Sequence, residues 1–183
     1  IKTAEYIVAA TKNFLTPALL PPITFVTAAL ISFATGSSWA TMSILVPVTV
    51  PMAIQLMQGD PNAIVQTPIF ISTFAAVLSG SVFGDHSSPI ADTTILSSTA
   101  SGADHIDHVR TQLPYALICA AIAFICGYFL TGIGVNVFIS ILVGWNMAYA
   151  FWKVFGKTVP ASACAISLVH RIGQWRGRNP RVR

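Results

Sequence analysis

An all-α polytopic membrane protein, with a re-entrant hairpin and a broken transmembrane helix, is the architecture this sequence predicts. Three observations lead there. Of 183 residues, 54% are hydrophobic and 9% are charged, against roughly 25% charged in a soluble domain. Such a chain cannot cover its surface with water-facing groups. Apolar stretches long enough to cross a bilayer alternate with short polar turns. Two of those stretches are interrupted by small, hydroxyl-bearing and acidic residues rather than by one substitution.

The first segment, residues 1–22, is expected to be a connector or the end of a preceding helix. Within it Ile1 to Thr16 carries Lys2, Glu5 and Lys12 among apolar residues, as an interfacial helix does. The chain opens at Ile1, already in helix-like sequence, so an N-terminal part is expected upstream; no signal peptide is recognisable.

Residues 23–57 follow, broken at Thr35-Gly36-Ser37-Ser38-Trp39 and again by Pro47 and Pro51. At about 20 residues per crossing this stretch is too long for one helix and slightly short for two with a loop. It therefore predicts a re-entrant hairpin with its tip at 35–39, or a pair of kinked helices. Gln58 to Asn62 is a turn cluster. Residues 63–100 form one broken span: Ala63 to Val82 is helical, 84–89 interrupts it, and Ile90 to Ala100 resumes with many hydroxyls.

Residues 101–112, holding Asp104, His105, Asp107, His108 and Arg110, are expected to be a polar loop. Residues 113–152 supply two further spans around Gly132-Ile133-Gly134, with Trp145, Tyr149 and Trp152 as an interfacial anchor. Residues 153–183 are a basic tail with Lys153, Lys157, Arg171, Arg176, Arg178, Arg181 and Arg183. The positive-inside rule makes that tail cytoplasmic. The two preceding crossings then place the 101–112 loop on the cytoplasmic side and Gln58 to Asn62 outside. A short apolar run, Val159 to Val169, is too short to cross and is expected along the surface. No reader domain surrounds the basic residues, so lipid rather than nucleic acid is the expected partner. Cys119, Cys126 and Cys164 lack paired spacing and are expected to pack as small apolar residues.

The chemistry is expected at the two breaks. Non-helical backbone in hydrocarbon leaves polar groups without partners, at several kcal/mol each, unless protein, water or an ion supplies them. Discontinuous helices hold substrate and coupling ion in many transporters. The first break offers Thr35, Gly36, Ser37 and Ser38; the second offers Asp85, His86, Ser87 and Ser88, followed by Asp92 and Thr93. A sodium ion wants hard oxygen ligands, and Asp85, Asp92, Ser37 and Ser87 are the ligands expected for it if the breaks face each other. Asp92 is expected about two turns into the resumed half-helix. Burial penalises the charged form of an unpaired carboxylate, so a proton and a sodium ion would compete for one group. Asp85 could instead cap the following half-helix, and His86 could simply donate to a neighbouring carbonyl.

Thr93 with Ser97, and Thr94 with Ser98, form i,i+4 pairs that could line an aqueous path or bond their own i−4 carbonyls. The Asp104 to His108 cluster matches no defensible zinc spacing; helix capping or gating, with Arg110 pairing an aspartate, fits better. Trp39 is read as packing. No cofactor is expected beyond the transported ions.

The runs Phe33-Ala34-Thr35-Gly36-Ser37-Ser38-Trp39-Ala40-Thr41, Phe83-Gly84-Asp85-His86-Ser87-Ser88-Pro89-Ile90-Ala91-Asp92-Thr93-Thr94-Ile95-Leu96-Ser97-Ser98 and Asp104 to Tyr115 resemble the NhaC-type sodium/proton antiporter family. Relatives in that family exchange organic acids such as malate and lactate. The resemblance implies a bacterial or archaeal inner-membrane carrier of two inverted repeats, exchanging sodium for protons by alternating access. This chain looks like its C-terminal half, with the N-terminal half as its partner and a homo-oligomer compatible with that expectation. An organic acid/sodium antiporter is the alternative within transport. From another class, an intramembrane hydrolase would use Asp85 with Asp92, or His86 with a serine; it would want glycine where Val82 stands, and no nucleophile elbow is present.

Overall fold

The computed structural model describes residues 16–156. A 3-10 turn, Pro17–Leu19, leads into α1, Leu20–Thr35. Pro21 and Pro22 are tolerated there because first-turn amides have no helical acceptor. The helix stops at Gly36, whose φ of 68° is left-handed and whose amide donates to the Ser32 carbonyl at 2.8 Å. Glycine adopts this terminating conformation without a Cβ penalty.

Ser37 immediately caps α2, Ser38–Met57, accepting from the Ala40 amide at 3.4 Å. A short turn, α3 (Pro61–Ile64), is capped by Asp60. Thr67 then caps α4, Pro68–Ser87. Ser88 to Ala91 leave the helical path, and α5 runs from Asp92 to Ala100. Asp104 caps α6, His105–Ile122, which continues through a π-helical segment, Ala123–Phe129, to a last turn, Leu130–Gly132. The final helix, α7, is Val137–Phe155.

Among the described residues five helices are long and apolar enough to cross a membrane: Pro17–Thr35, Ser38–Met57, Pro68–Ser87, His105–Gly132 and Val137–Phe155. The protein is all-α and multi-pass.

Several boundaries differ from expectation, each for a physical reason. The hairpin alternative gives way to two helices of crossing length, because the first starts at Pro17 and the connection is only Gly36-Ser37. No loop length is needed where one glycine makes the turn. The second break sits at Ser88 to Ala91 rather than 84–89, after a helix that is already 20 residues long. It ends a crossing instead of interrupting one. Asp92 is consequently the first residue of α5, not two turns into it. Residues 105–112, expected as loop, are the opening turns of α6. That helix with its continuation has 28 residues, about 42 Å against a hydrocarbon core of about 30 Å. The polarity of 105–112 fits an end that stands beyond the hydrocarbon. The connector expected before Thr16, the run Val159 to Val169 and the basic tail from Lys157 lie outside the described residues.

The core is the seam between α1 and α4. A Cβ added to Gly80 would lie 2.5 Å from the Phe25 carbonyl oxygen, and one on Gly84 would lie 2.5 Å from the Ala29 carbonyl oxygen and the Phe33 amide nitrogen. Glycines four apart thus let two backbones touch. Membrane helices associate through such close packing, since lipid removes most of the hydrophobic drive between them. Across the seam the Ser32 hydroxyl donates to the Ser81 carbonyl at 2.5 Å, with both residues fully buried. Ala28, Leu45 and Val77 extend the contact to α2, and Leu20, Ala53, Ile64 and Phe70 close one end. From the π-helical segment, Tyr128 stacks on Phe25 with ring centres 4.9 Å apart and its hydroxyl pairs with Ser79.

The connections sort to two ends. A cavity of about 670 Å³ is lined by Met57, Thr67, Pro68, Gly134, Val135 and Asn136, among others. At the other end lie Gly36, the Ser88 to Ala91 break and His105. Contacts divide the chain after Ala148. In the second unit Phe151 stacks on Phe155 at 4.7 Å, and Lys153 Nζ lies 5.9 Å from the Tyr149 ring centre.

Candidate functional site

The two breaks meet. A Cβ on Gly36 would lie 3.0 Å from Ile90 Cγ1 and 3.1 Å from the Ala91 nitrogen. The α1–α2 turn is therefore seated on the α4–α5 break, and only glycine combines the left-handed turn with that approach. One turn away the Ser38 hydroxyl donates to Asp85 Oδ2 at 3.1 Å. Asp85 stands in the last turn of α4, half-buried. It does not cap the half-helix that follows.

Pro89 shapes the carbonyls of the break. It has no N–H, so the Asp85 carbonyl four residues earlier has no helical donor. The Ser88 amide bonds to the Gly84 carbonyl at 2.9 Å, and the Ala91 amide turns to the Ser88 carbonyl at 3.4 Å, which deprives the Ser87 carbonyl of its helical partner. The Ile90 amide donates to Ser88 Oγ at 3.3 Å. The Ser87 hydroxyl donates to the Phe83 carbonyl at 2.6 Å, leaving its own lone pairs to accept.

Two other carbonyls are held by side chains. That of His86 accepts from Gln112 Nε2 at 3.0 Å and from Thr94 Oγ1 at 3.4 Å. That of Pro89 accepts from His105 Nε2 at 2.7 Å, while His105 Nδ1 lies 3.1 Å from Ser98 Oγ.

Of the residues singled out from the sequence, Gly36 and Ser38 meet the second break directly, with Thr35 and Ser37 beside them on the turn. Thr35 Oγ1 lies 3.4 Å from the Ser32 carbonyl oxygen and 3.5 Å from the Thr41 hydroxyl, and Ser37 caps α2. Ser87, the last residue of α4, and Ser88, the first of the break, are both buried. His86, Asp92 and Thr93 are exposed; Asp92, in the first turn of α5, is stabilised there by the amide-rich helix end. Within the i,i+4 pairs, Thr94 and Ser98 are buried and reach the break through His86 and His105, whereas Thr93 and Ser97 are exposed. Asp104 is a helix cap, and Arg110 and Trp39 are exposed. No group of three or more His, Cys, Asp or Glu able to hold a metal occurs among the described residues.

Three contributors were not read from the sequence: the Gly80/Gly84 seam, Gln112, and His105 as a partner of the break. The glycine spacing was available as a signal. Gln112 had none, since its role depends on α6 beginning at His105.

The assembled groups are hydroxyls, one carboxylate and backbone carbonyls freed by a proline. This donor set suits a hard cation.

Residues 1–133 match the Na+/H+ antiporter family. An uncharacterized protein of Haemophilus influenzae is 40% identical over 132 residues, covering 72% of this chain and 24% of that protein. The arginine/ornithine antiporter ArcD of Halobacterium salinarum is 35% identical over 111 residues, covering 61% and 21%. The malate-2H(+)/Na(+)-lactate antiporter of Bacillus subtilis is 30% identical over 124 residues, covering 66% and 24%. The chain spans 21% to 24% of the length of these relatives. No solved structure matches it. With five crossing helices, two apposed breaks and a family match over most of its length, this chain is a membrane protein of the Na+/H+ antiporter family.

Proposed function

We propose that the chain is part of a secondary active transporter that exchanges sodium for protons by alternating access, with the ion held where the two breaks meet. The contact of Gly36 with Ile90 and Ala91, beside the Ser38–Asp85 hydrogen bond, carries this reading. Asp85 supplies the negative charge, and the Ser37 and Ser87 hydroxyls with the Asp85 and Ser87 carbonyls supply neutral oxygens. Asp92, exposed at the start of α5, is the second carboxylate of the proposal. Protonation of Asp85 removes the charge that attracts sodium, so each cation weakens the other's binding.

The remainder of the transporter, including an expected preceding half, completes the site and supplies the NhaC-type arrangement of two inverted repeats. The basic tail supports a cytoplasmic C-terminus in a cell inner membrane. Counting crossings, the apposed breaks then lie toward the cytoplasm and Gln58 to Asn62 outside.

The test is sodium-dependent proton flux in everted vesicles carrying the full-length protein. Asp85→Asn is expected to abolish exchange; undiminished exchange removes Asp85 from the mechanism. A second reading, exchange of an organic or amino acid, is supported by relatives named as malate/lactate and arginine/ornithine antiporters. Counterflow of labelled malate, lactate or arginine without sodium-dependent proton flux would replace the first reading by the second.

A further inference from the structure

The carbonyls of His86 and Pro89 are three residues apart and both point at α6. Their donors, Gln112 and His105, are seven residues apart on that helix, two turns along one face. Pro89 O can only accept, so His105 Nε2 carries the proton in that bond. Around the ring, Ser98 joins His105 Nδ1 to α5, and Thr94 joins the His86 carbonyl to the same helix. Gln112 Oε1 is buried with no partner among the described residues, and there the side chain is oriented by its bond to the His86 carbonyl. Turning the amide over would set oxygen against oxygen.

We propose that His105 and Gln112 are positioning residues for ion exchange: α6 clamps the carbonyls of His86 and Pro89 and leaves those of Asp85 and Ser87 as the ones available to a cation. The proposal rests on the ion site described above and adds what selects its ligands. Without the clamp the Pro89 carbonyl loses its side-chain donor and that of His86 keeps only Thr94, so the Ser88 to Ala91 backbone is held less firmly against Gly36. Neither side chain needs to touch the ion. Groups that orient first ligands change metal affinity about 10- to 100-fold when removed.

Two measurements on the full-length protein test this. In everted vesicles, His105→Ala and Gln112→Leu are expected to raise the KM for sodium about tenfold with maximal rate within about twofold. His105→Gln, whose amide N–H can reach Pro89 O, is expected to restore the wild-type KM. By hydrogen exchange, both loss variants are expected to speed exchange at residues 88–92 but not in the Gly80 to Gly84 seam. Unchanged KM in both loss variants, a fall in maximal rate alone, or equal damage from His105→Gln and His105→Ala overturns the clamp. Failure of the ion reading is seen separately, as absence of sodium-dependent flux in the wild type. Exchange at 88–92 then judges the clamp by itself, and no change there in either loss variant overturns it.

Discussion

Replacing Gly84 by alanine adds one methyl group where two backbones meet. The new carbon would lie 2.5 Å from the Ala29 carbonyl oxygen, 2.5 Å from the Phe33 amide nitrogen and 2.5 Å from Ser32 Cβ. None of these is the tip of a flexible side chain, so α1 and α4 must part by roughly 1 Å, and a gap of that size forfeits a quarter to a half of each contact's attraction. Overpacking of this kind costs about 1–3 kcal/mol. Alanine's better helix propensity returns at most about 1 kcal/mol. The steric effect wins, because the seam also carries the buried Ser32–Ser81 bond. Net destabilisation of about 1–2 kcal/mol is expected. The assay is equilibrium unfolding of the purified full-length protein in bicelles, with Gly127→Ala as control. A Cβ on Gly127 meets nothing within 4 Å, so that variant is expected to be neutral or slightly stabilised. Gly84→Ala unfolding at or beyond the wild-type midpoint would refute the backbone-contact account of the seam.

Gly36 combines a φ of 68° with Ile90 and Ala91 at the edge of contact. Gly36→Ala is expected to cost about 1–2 kcal/mol from the left-handed conformation and to lower exchange, whereas Gly36→Asn relieves the conformational part but not the crowding; equal unfolding midpoints for the two variants would discount the turn. Pro89→Ala returns an N–H to the Asp85 carbonyl and lets α4 run on. Its expected result is a folded protein with sodium affinity lower by about tenfold or more, read as KM in the flux assay, and an unchanged KM would remove that carbonyl from the ligand set.

The crossings were legible from composition because a helix in lipid must satisfy its backbone internally, so apolar length alone locates it. The places where reading failed have separate causes. Residues 105–112 are polar, and in this setting polarity reports depth rather than the absence of a helix; Asp104 as a cap was the sign that a helix starts there. Pro89 marked the second break, but its effect falls on Asp85, four residues earlier, and on a path that resumes only at Asp92. The apposition of Gly36 and Ala91 was no more than a condition in the sequence. It depends on how closely α1 approaches α4, which Gly80 and Gly84 set through groups they lack.

The π-helical segment Ala123–Phe129 inserts a wider turn into an otherwise α-helical crossing, which advances the register by one residue, about 100° of rotation. The same rod therefore offers one face before the insertion, where His105 and Gln112 reach the break, and a separately phased face near the end of the inserted segment, where Tyr128 meets Phe25 and Ser79. An uninterrupted α-helix would tie the aim of both contact sets to a single phase. Deleting one residue from Ala123–Phe129 would turn His105 and Gln112 by about 100° relative to the helix end beyond that segment.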